Sequence, residues 1–277
     1  MNSISLFLLS LFHEGFSYST LNSVRSALSF FLCDRLDIGT NEFLGRLFRF
    51  FWRSRPSLPR YLVSWDVNVL LKFLISWHPS SALSLEKLTL KTVSLVAVTS
   101  SDRAQTLEAL DIENCSFSDN AVRFPIYTLL KTSRKNRPVK VVSCHKSQNP
   151  SLDVCEYVSS YMTRTLKFRL KAVRRGFPKP TQLFLSYFTG KPIKRATISK
   201  YILRTMELSG LDVSCYKAHT VRGAVPSRMS TAGASAHDII SQGDWQHVST
   251  FDRYYNRVSD DSPAGLLIQE VMNRRRN

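Results

Sequence analysis

The stretch RSRPSLPRY, Arg53 to Tyr61, constrains this chain more than any other. Pro56 and Pro59 each remove a backbone donor and clash with a preceding helical turn, so no helix continues across it. An extended basic linker is what such a sequence supports. It divides the 277 residues into a short and a long part. The reading is a helical module over 1–54, a linker over 55–63 and a second domain over 64–277.

The short part reads as helices. ISLFLLSLFHEG stops at Gly15, and Ser17, Ser19 and Thr20 offer caps for LNSVRSALSFFL,. EFLGRLFRFFWR forms a further helix over 42–53 with Arg46, Arg49 and Arg53 on a face opposite its Phe and Leu residues. Such a stripe is either a solvated face or a surface for a DNA backbone. Arg55 and Arg60 extend it, which favours DNA.

Beyond the linker, SWDVNVLLKFLISW begins a helix with Ser64 as cap and Asp66 in its first turn,. SLEKLTLKTVSLVAVTS, Ser84 to Ser100, is long, apolar and helical in period, which makes it core,. Arg103 follows directly, before the amphipathic turn of Leu107 and Leu110. From Ala121 to Cys144 the period changes to that of a β-hairpin, with a long tip carrying TSRKNR,. Arg134 and Lys135 lie in that tip. Ser151 to Arg175 is one helix with a very basic end, QLFLSY a short strand, and KYILRTMELSG a helix capped at Thr197 or Ser199. Ala232, Ala236, Ile239 and Ile240 mark another helical stretch. The expected class is mainly α with a small β-hairpin or sheet (α+β).

A formal charge of +17 limits the partners. A folded chain this basic has to offset self-repulsion, and its clustered charges point to nucleic acid. The five cysteines are scattered without a C-x-x-C pair, as in reduced intracellular proteins without a disulfide framework or zinc site,. The apolar opening lacks a basic leader and a small-x-small cleavage site, and no apolar run approaches the ~18 residues of a membrane span. The expectation is a soluble intracellular protein, nuclear if its host is eukaryotic, with no membrane association.

The chemistry concentrates between Lys217 and Arg257. His219 and Arg222 stand three apart in AHTVRG, Trp245 follows in GDWQHVST, and Tyr254 and Tyr255 close STFDRYYNR. With Arg103 in SSDRAQTLEALDI and Lys131 in LLKTSRKNRPVKVV, this ordered set resembles the active site of the tyrosine recombinases, the phage-integrase superfamily. The wording RAQTL, LLKTSR and DW-x-x-x-STF is most similar to recombinases of DIRS/Ngaro-type retrotransposons. That resemblance implies a helical core-binding domain followed by a tyrosine-recombinase catalytic domain. It also implies a site-specific recombinase or integrase that cuts and rejoins double-stranded DNA through a covalent 3′-phosphotyrosine, working as a tetramer on DNA. It assigns Arg103 and Arg222 to the scissile phosphate, Lys131 as general acid, His219 to proton exchange with the nucleophile, and Trp245 to support of the nucleophile. It implies no metal, no nucleotide cofactor and no small-molecule ligand.

Two arginines suit the developing charge because each can grip two oxygens at once, which lysine cannot copy. Nine residues after Trp245 comes Tyr254, whereas the retroelement pattern gives Tyr255. Adjacent helical residues point ~100° apart, so one alone can face the phosphate. The other reading is a catalytically inactive or domesticated DNA-binding protein of the same fold, which the short N-terminal module favours. Thr106 stands where many relatives have an acid, and Pro226 should kink its helix or mark its first turn,.

Overall fold

The computed structural model describes residues 2–33, 36–56, 63–136, 138–243 and 258–259. The chain forms two compact units, Met1–Arg60 and Tyr61–Asn277.

In the first unit, α1 (Asn2–His13), α2 (Tyr18–Phe31) and α3 (Glu42–Ser54) enclose Leu8, Phe12, Leu21, Leu44, Phe48 and Phe51. Gly15 ends α1 at φ +96°, a conformation that suits a residue without Cβ,. Ser17 caps α2 by accepting the Thr20 N–H, and Asn41 caps α3 by accepting the Leu44 N–H,. Arg46, Arg49 and Arg53 are exposed on α3, but so are Phe43, Phe50 and Trp52. The arginine face is therefore mixed rather than opposite the aromatics. Arg55 does not extend the stripe: its guanidinium lies 4.0 Å above the Phe12 ring and donates to the Phe12 carbonyl at 2.6 Å. Arg60 lies outside the described residues.

The second unit is built on one helix. It begins with β1 (Val63–Ser64) and α4 (Val67–Ile75), followed by α5 (Leu85–Ser100) and the short α6 (Ala104–Glu108). Ser64 belongs to β1, and the cap of α4 is Asp66, whose carboxylate accepts the Asn68 N–H at 2.9 Å. Ser84 caps α5. From Leu88 to Ser100 every residue of α5 but Thr99 is buried, polar ones included, and Thr89 and Thr92 turn their hydroxyls back onto carbonyls four residues earlier,. Lys91 is also buried. Its ammonium meets the Leu74 and Trp77 carbonyls at 2.7 and 2.6 Å, at the end of α4, and sits 3.9 Å over the Tyr157 ring.

A three-stranded antiparallel sheet follows: β2 (Ser116–Ser118), β3 (Ala121–Ile126) and β4 (Lys140–His145). Ile126 pairs with Lys140, so the strands open there into the loop 127–139. Ala121, Val122, Phe124 and Ile126 are buried.

Helix α7 (Val154–Arg174) then packs on α5. It starts later than its sequence period indicates, because Pro150–Leu152 forms a separate 3-10 turn and Asp153 is the cap. Its basic residues are partly internal. Arg164, midway along the helix, donates to the Leu83 carbonyl at 2.6 Å. Arg169, fully buried, donates to the carbonyls of Pro180, Gln182 and Leu183 at 2.5, 2.8 and 2.9 Å. This explains why QLFLSY makes only the isolated bridges Asp111–Gln182 and Leu185–Pro192 rather than a strand. A side chain takes carbonyls that a neighbouring strand would otherwise bind.

Helix α8 (Arg195–Leu208) begins without a Thr197 or Ser199 cap. Glu108 of α6 accepts the Arg195 N–H at 2.9 Å in their place. A 3-10 turn at Ala218–Thr220 leads into α9 (Val221–Thr231), and α10 (Ala236–Gly243) follows. Ala232 is the C-cap of α9 and not part of α10, because Gly233 at φ +82° breaks the run. Pro226 lies inside α9 and is not at its first turn. Finally β5 (Val258–Ser259) pairs in parallel with β1. The result is mainly helical with a small antiparallel sheet. No described helix is long and apolar enough to cross a membrane.

Candidate active site

Three side chains from distant parts of the second unit line one cavity of about 280 Å³: Arg103, His219 and Arg222. Each is placed by a specific break in regular structure.

Helix α5 ends at Ser101, which adopts a left-handed conformation at φ +52° although it is not glycine. Non-glycine residues rarely do this, and they tend to sit where the chain must present a group sharply. Asp102 and Arg103 follow at once, and Arg103 is the N-terminal cap residue of α6. Its carbonyl is held by the Thr106 N–H at 2.8 Å. Thr106, which stands in place of an acid, is buried.

His219 lies in the 3-10 turn before α9 and is exposed on the cavity wall. The turn is anchored from behind: the Trp65 indole N–H donates to the Thr220 hydroxyl at 2.8 Å, and that hydroxyl donates to the Lys217 carbonyl at 2.7 Å. Trp65 is itself 2% exposed. Arg222, on the first turn of α9, is 4% exposed, and its Nη1 donates to the Ser101 carbonyl at 3.2 Å. The two arginines are therefore connected through one backbone turn, although 121 residues separate Ser101 from Arg222. A buried guanidinium held on one side by a fixed carbonyl is preorganised, and an anion entering the cavity meets its charge without rearrangement.

Lys131 does not line this cavity. It is exposed in the loop 127–139, and its backbone N–H donates to Gln105 Oε1 of α6 at 3.4 Å. Arg134 and Lys135 are exposed in the same loop, Arg134 folding back to donate to the Ser133 carbonyl at 2.9 Å. Trp245, Tyr254 and Tyr255 lie outside the described residues. Arg46, Arg49 and Arg53 belong to the first unit.

Two residues at this site escaped the sequence reading. Asp102 lines the cavity beside Arg103, and its carboxylate is bonded to the Lys140 ammonium at 2.7 Å, with side chains 5% and 18% exposed. The adjacency of Asp102 to Arg103 was visible, but the cross-chain partner was not.

The Phage integrase family model matches residues 63–261. No curated protein matches the chain. Among solved structures, the chain is similar to the XerH site-specific recombinase bound to palindromic difH substrate in a post-cleavage complex. The identity is 15% and the TM-score 0.60, over 90% of this chain and 66% of that one. The chain thus spans about two thirds of the XerH length. It is also similar to the Tn1549 transposon integrase in complex with transposon right end DNA, at 14% identity and TM-score 0.58, over 97% and 84%. A lambda integrase dimer bound to a COC′ core site gives 14% and 0.54, over 92% and 78%. Identities this low speak to the fold alone. The family match covers the whole span from β1 through β5, including the turn that carries Arg103 and the helix that carries Arg222, and the chain belongs to the phage integrase (tyrosine recombinase) family.

Proposed function

We propose that this chain is a site-specific DNA recombinase of mobile-element origin, most similar to the DIRS/Ngaro-type retrotransposon enzymes. The observation that carries the reading is the convergence of Arg103, His219 and Arg222 on one cavity of a family fold. In this reading, residues 1–54 form a core-binding domain, 55–63 a linker and 64–277 the catalytic domain. The substrate is double-stranded DNA, bound by four protomers, in the nucleus if the host is eukaryotic.

The proposed reaction is a transesterification. A tyrosine oxygen, from Tyr255 or Tyr254, attacks phosphorus, and the bond from phosphorus to the 5′ oxygen breaks. The phenolic proton passes to His219, and the Lys131 ammonium gives a proton to the departing 5′ oxygen. Arg103 and Arg222 hold the two non-bridging oxygens, where charge builds up, and Trp245 supports the nucleophile. One ester bond replaces another, so religation needs no energy input from a nucleotide and no metal. Arg46, Arg49, Arg53, Arg134 and Lys135 are assigned to the DNA backbone, where such contacts set position and not sequence.

The test uses a pool of nicked suicide duplexes with randomised core sequences. Denaturation leaves DNA bound only where a covalent phosphotyrosine has formed, and sequencing that DNA defines the site. The expected result is an adduct that is lost in either Tyr255→Phe or Tyr254→Phe, which identifies the nucleophile. No adduct from any duplex, with DNA binding retained, would leave the inactive DNA-binding reading. An adduct that survives replacement of both tyrosines would exclude the tyrosine mechanism.

A further inference from the structure

Two features of the active-site wall are unexplained by the phosphate chemistry. A carboxylate, Asp102, lies in a cavity proposed to receive a phosphate, where an unneutralised negative charge would be repulsive,. Its partner Lys140 comes from a different element, the first residue of β4, at the point where β3 and β4 part into the loop 127–139. That loop carries Lys131. The same loop is attached a second time to the Arg103 element, through the Lys131 N–H and Gln105 Oε1 at 3.4 Å.

We infer that Asp102 and Lys140 are positioning residues, which set the hairpin loop on the active site so that Lys131 reaches the leaving oxygen. The inference rests on the proposed role of Lys131 as the proton donor. Asp102 is fixed from behind by its sequence neighbours: Ser101 receives Arg222, and Arg103 begins α6. It is therefore a rigid post, placed by the arginine pocket itself. Lys140, at the mouth of the loop, is the matching attachment. The pair is largely shielded from water, so salt screens it little and its geometry is held tightly,. A loop fixed at its mouth and again at Lys131 has few conformations left, which reduces the entropy lost when the donor engages.

A sulfur leaving group separates positioning of the donor from every other role. When the bridging 5′ oxygen is replaced by sulfur, the phosphorus–sulfur bond breaks to give a thiolate that needs no proton. The experiment uses the best duplex from the suicide-substrate pool, made with either a 5′ oxygen or a 5′ sulfur at the cleavage site. Single-turnover adduct formation is measured for the full chain and for Asp102→Asn, Lys140→Met, Lys140→Arg, Gln105→Leu and Lys131→Met, with thermal unfolding recorded for each.

A general acid supplies roughly 10²- to 10⁴-fold. Asp102→Asn and Lys140→Met are expected to lose about tenfold or more of that on the oxygen substrate, and to cleave the sulfur substrate at close to the parent rate. Lys140→Arg, which keeps the ion pair, should stay near the parent on both. Gln105→Leu should show a smaller oxygen-specific loss. Equal losses on both substrates would mean that the pair only supports the fold or neutralises the cavity, and would overturn the inference, as would parent-like rates on both. Variants too unstable to assay would do the same if Gln105→Leu also lacked the oxygen-specific loss. A Lys131→Met variant that sulfur does not rescue would instead sink the proton-donor role of Lys131, and failure of the parent chain on both substrates would sink the recombinase reading.

Discussion

Arg222→Lys is the most informative single change in this protein. The side chain is 4% exposed, and one of its guanidinium nitrogens is 3.2 Å from the Ser101 carbonyl. Arginine can hold that carbonyl with one N–H and present others to a phosphate. Lysine ends in a single ammonium and has to choose. If the ammonium stays on Ser101, the phosphate loses a preorganised donor, a loss of about 10²–10³-fold in rate or roughly 2.7–4 kcal/mol of transition-state stabilisation. If it reaches for the phosphate, a buried carbonyl loses its donor, at about 1–3 kcal/mol of stability. For a unit of this size each kcal/mol moves Tm by roughly 2–4 °C. The expected outcome is a slowing of adduct formation of about 100-fold or more, with a Tm within a few degrees of the parent. The assays are single-turnover trapping on a suicide duplex and thermal unfolding. A variant that kept its rate within about threefold and its Tm unchanged would refute the assignment of Arg222 to both tasks.

Other outcomes follow from the same contacts. Replacing Arg46, Arg49 and Arg53 together with Ala should weaken DNA binding and flatten its salt dependence by about 0.9 in log–log slope for each phosphate contact removed. The exposed Arg46–Glu42 pair at 2.6 Å is too weak, at about 0.3–0.5 kcal/mol, to hold Arg46 back from DNA, so a filter-binding series at several salt concentrations checks this,. Arg169→Ala should behave differently from Lys171→Ala on the same helix. It strands buried carbonyls and costs about 3 kcal/mol or more in urea unfolding, whereas loss of the exposed Lys171 leaves stability unchanged,. Burial lowers the Lys91 pKa to about 8 from 10.5, so between these values the unfolded chain binds more protons than the folded one,. Lys91 therefore makes stability rise with pH across that window, and Lys91→Met should remove that part of the rise. The comparison is cleanest up to about pH 10 in thermal unfolding, because burial holds Tyr157 and Tyr161 up at about 12 and their titration acts in the opposite direction above that.

The helices that form the frame were legible because their signals are local. Ser17, one of three cap candidates, caps α2, Gly15 ends α1, and the apolar run from Ser84 is the buried axis of the second unit. The hairpin was legible from its change of period and its basic tip. Of the set read from the sequence, Arg103, His219 and Arg222 line one cavity, Lys131 does not, and Tyr254 and Tyr255 lie outside the described residues.

What tertiary structure decided is which of many similar residues do which task. Arg55 reads as part of a DNA-facing stripe and Arg169 as part of the basic end of α7, yet each donates to backbone carbonyls inside its own unit. A basic side chain has no local signal for that choice, since the acceptor lies at another point of the chain. The start of α8 is similar, where the cap comes from Glu108 and no serine or threonine near the helix is used. The Asp102–Lys140 pair is of the same kind. Sequence alone determined which reactive side chains this chain has and how they are spaced locally, because both are written in it. The fold decided how that chemistry is assembled, because ion pairs and carbonyl acceptors are met across space, where linear order says nothing of distance.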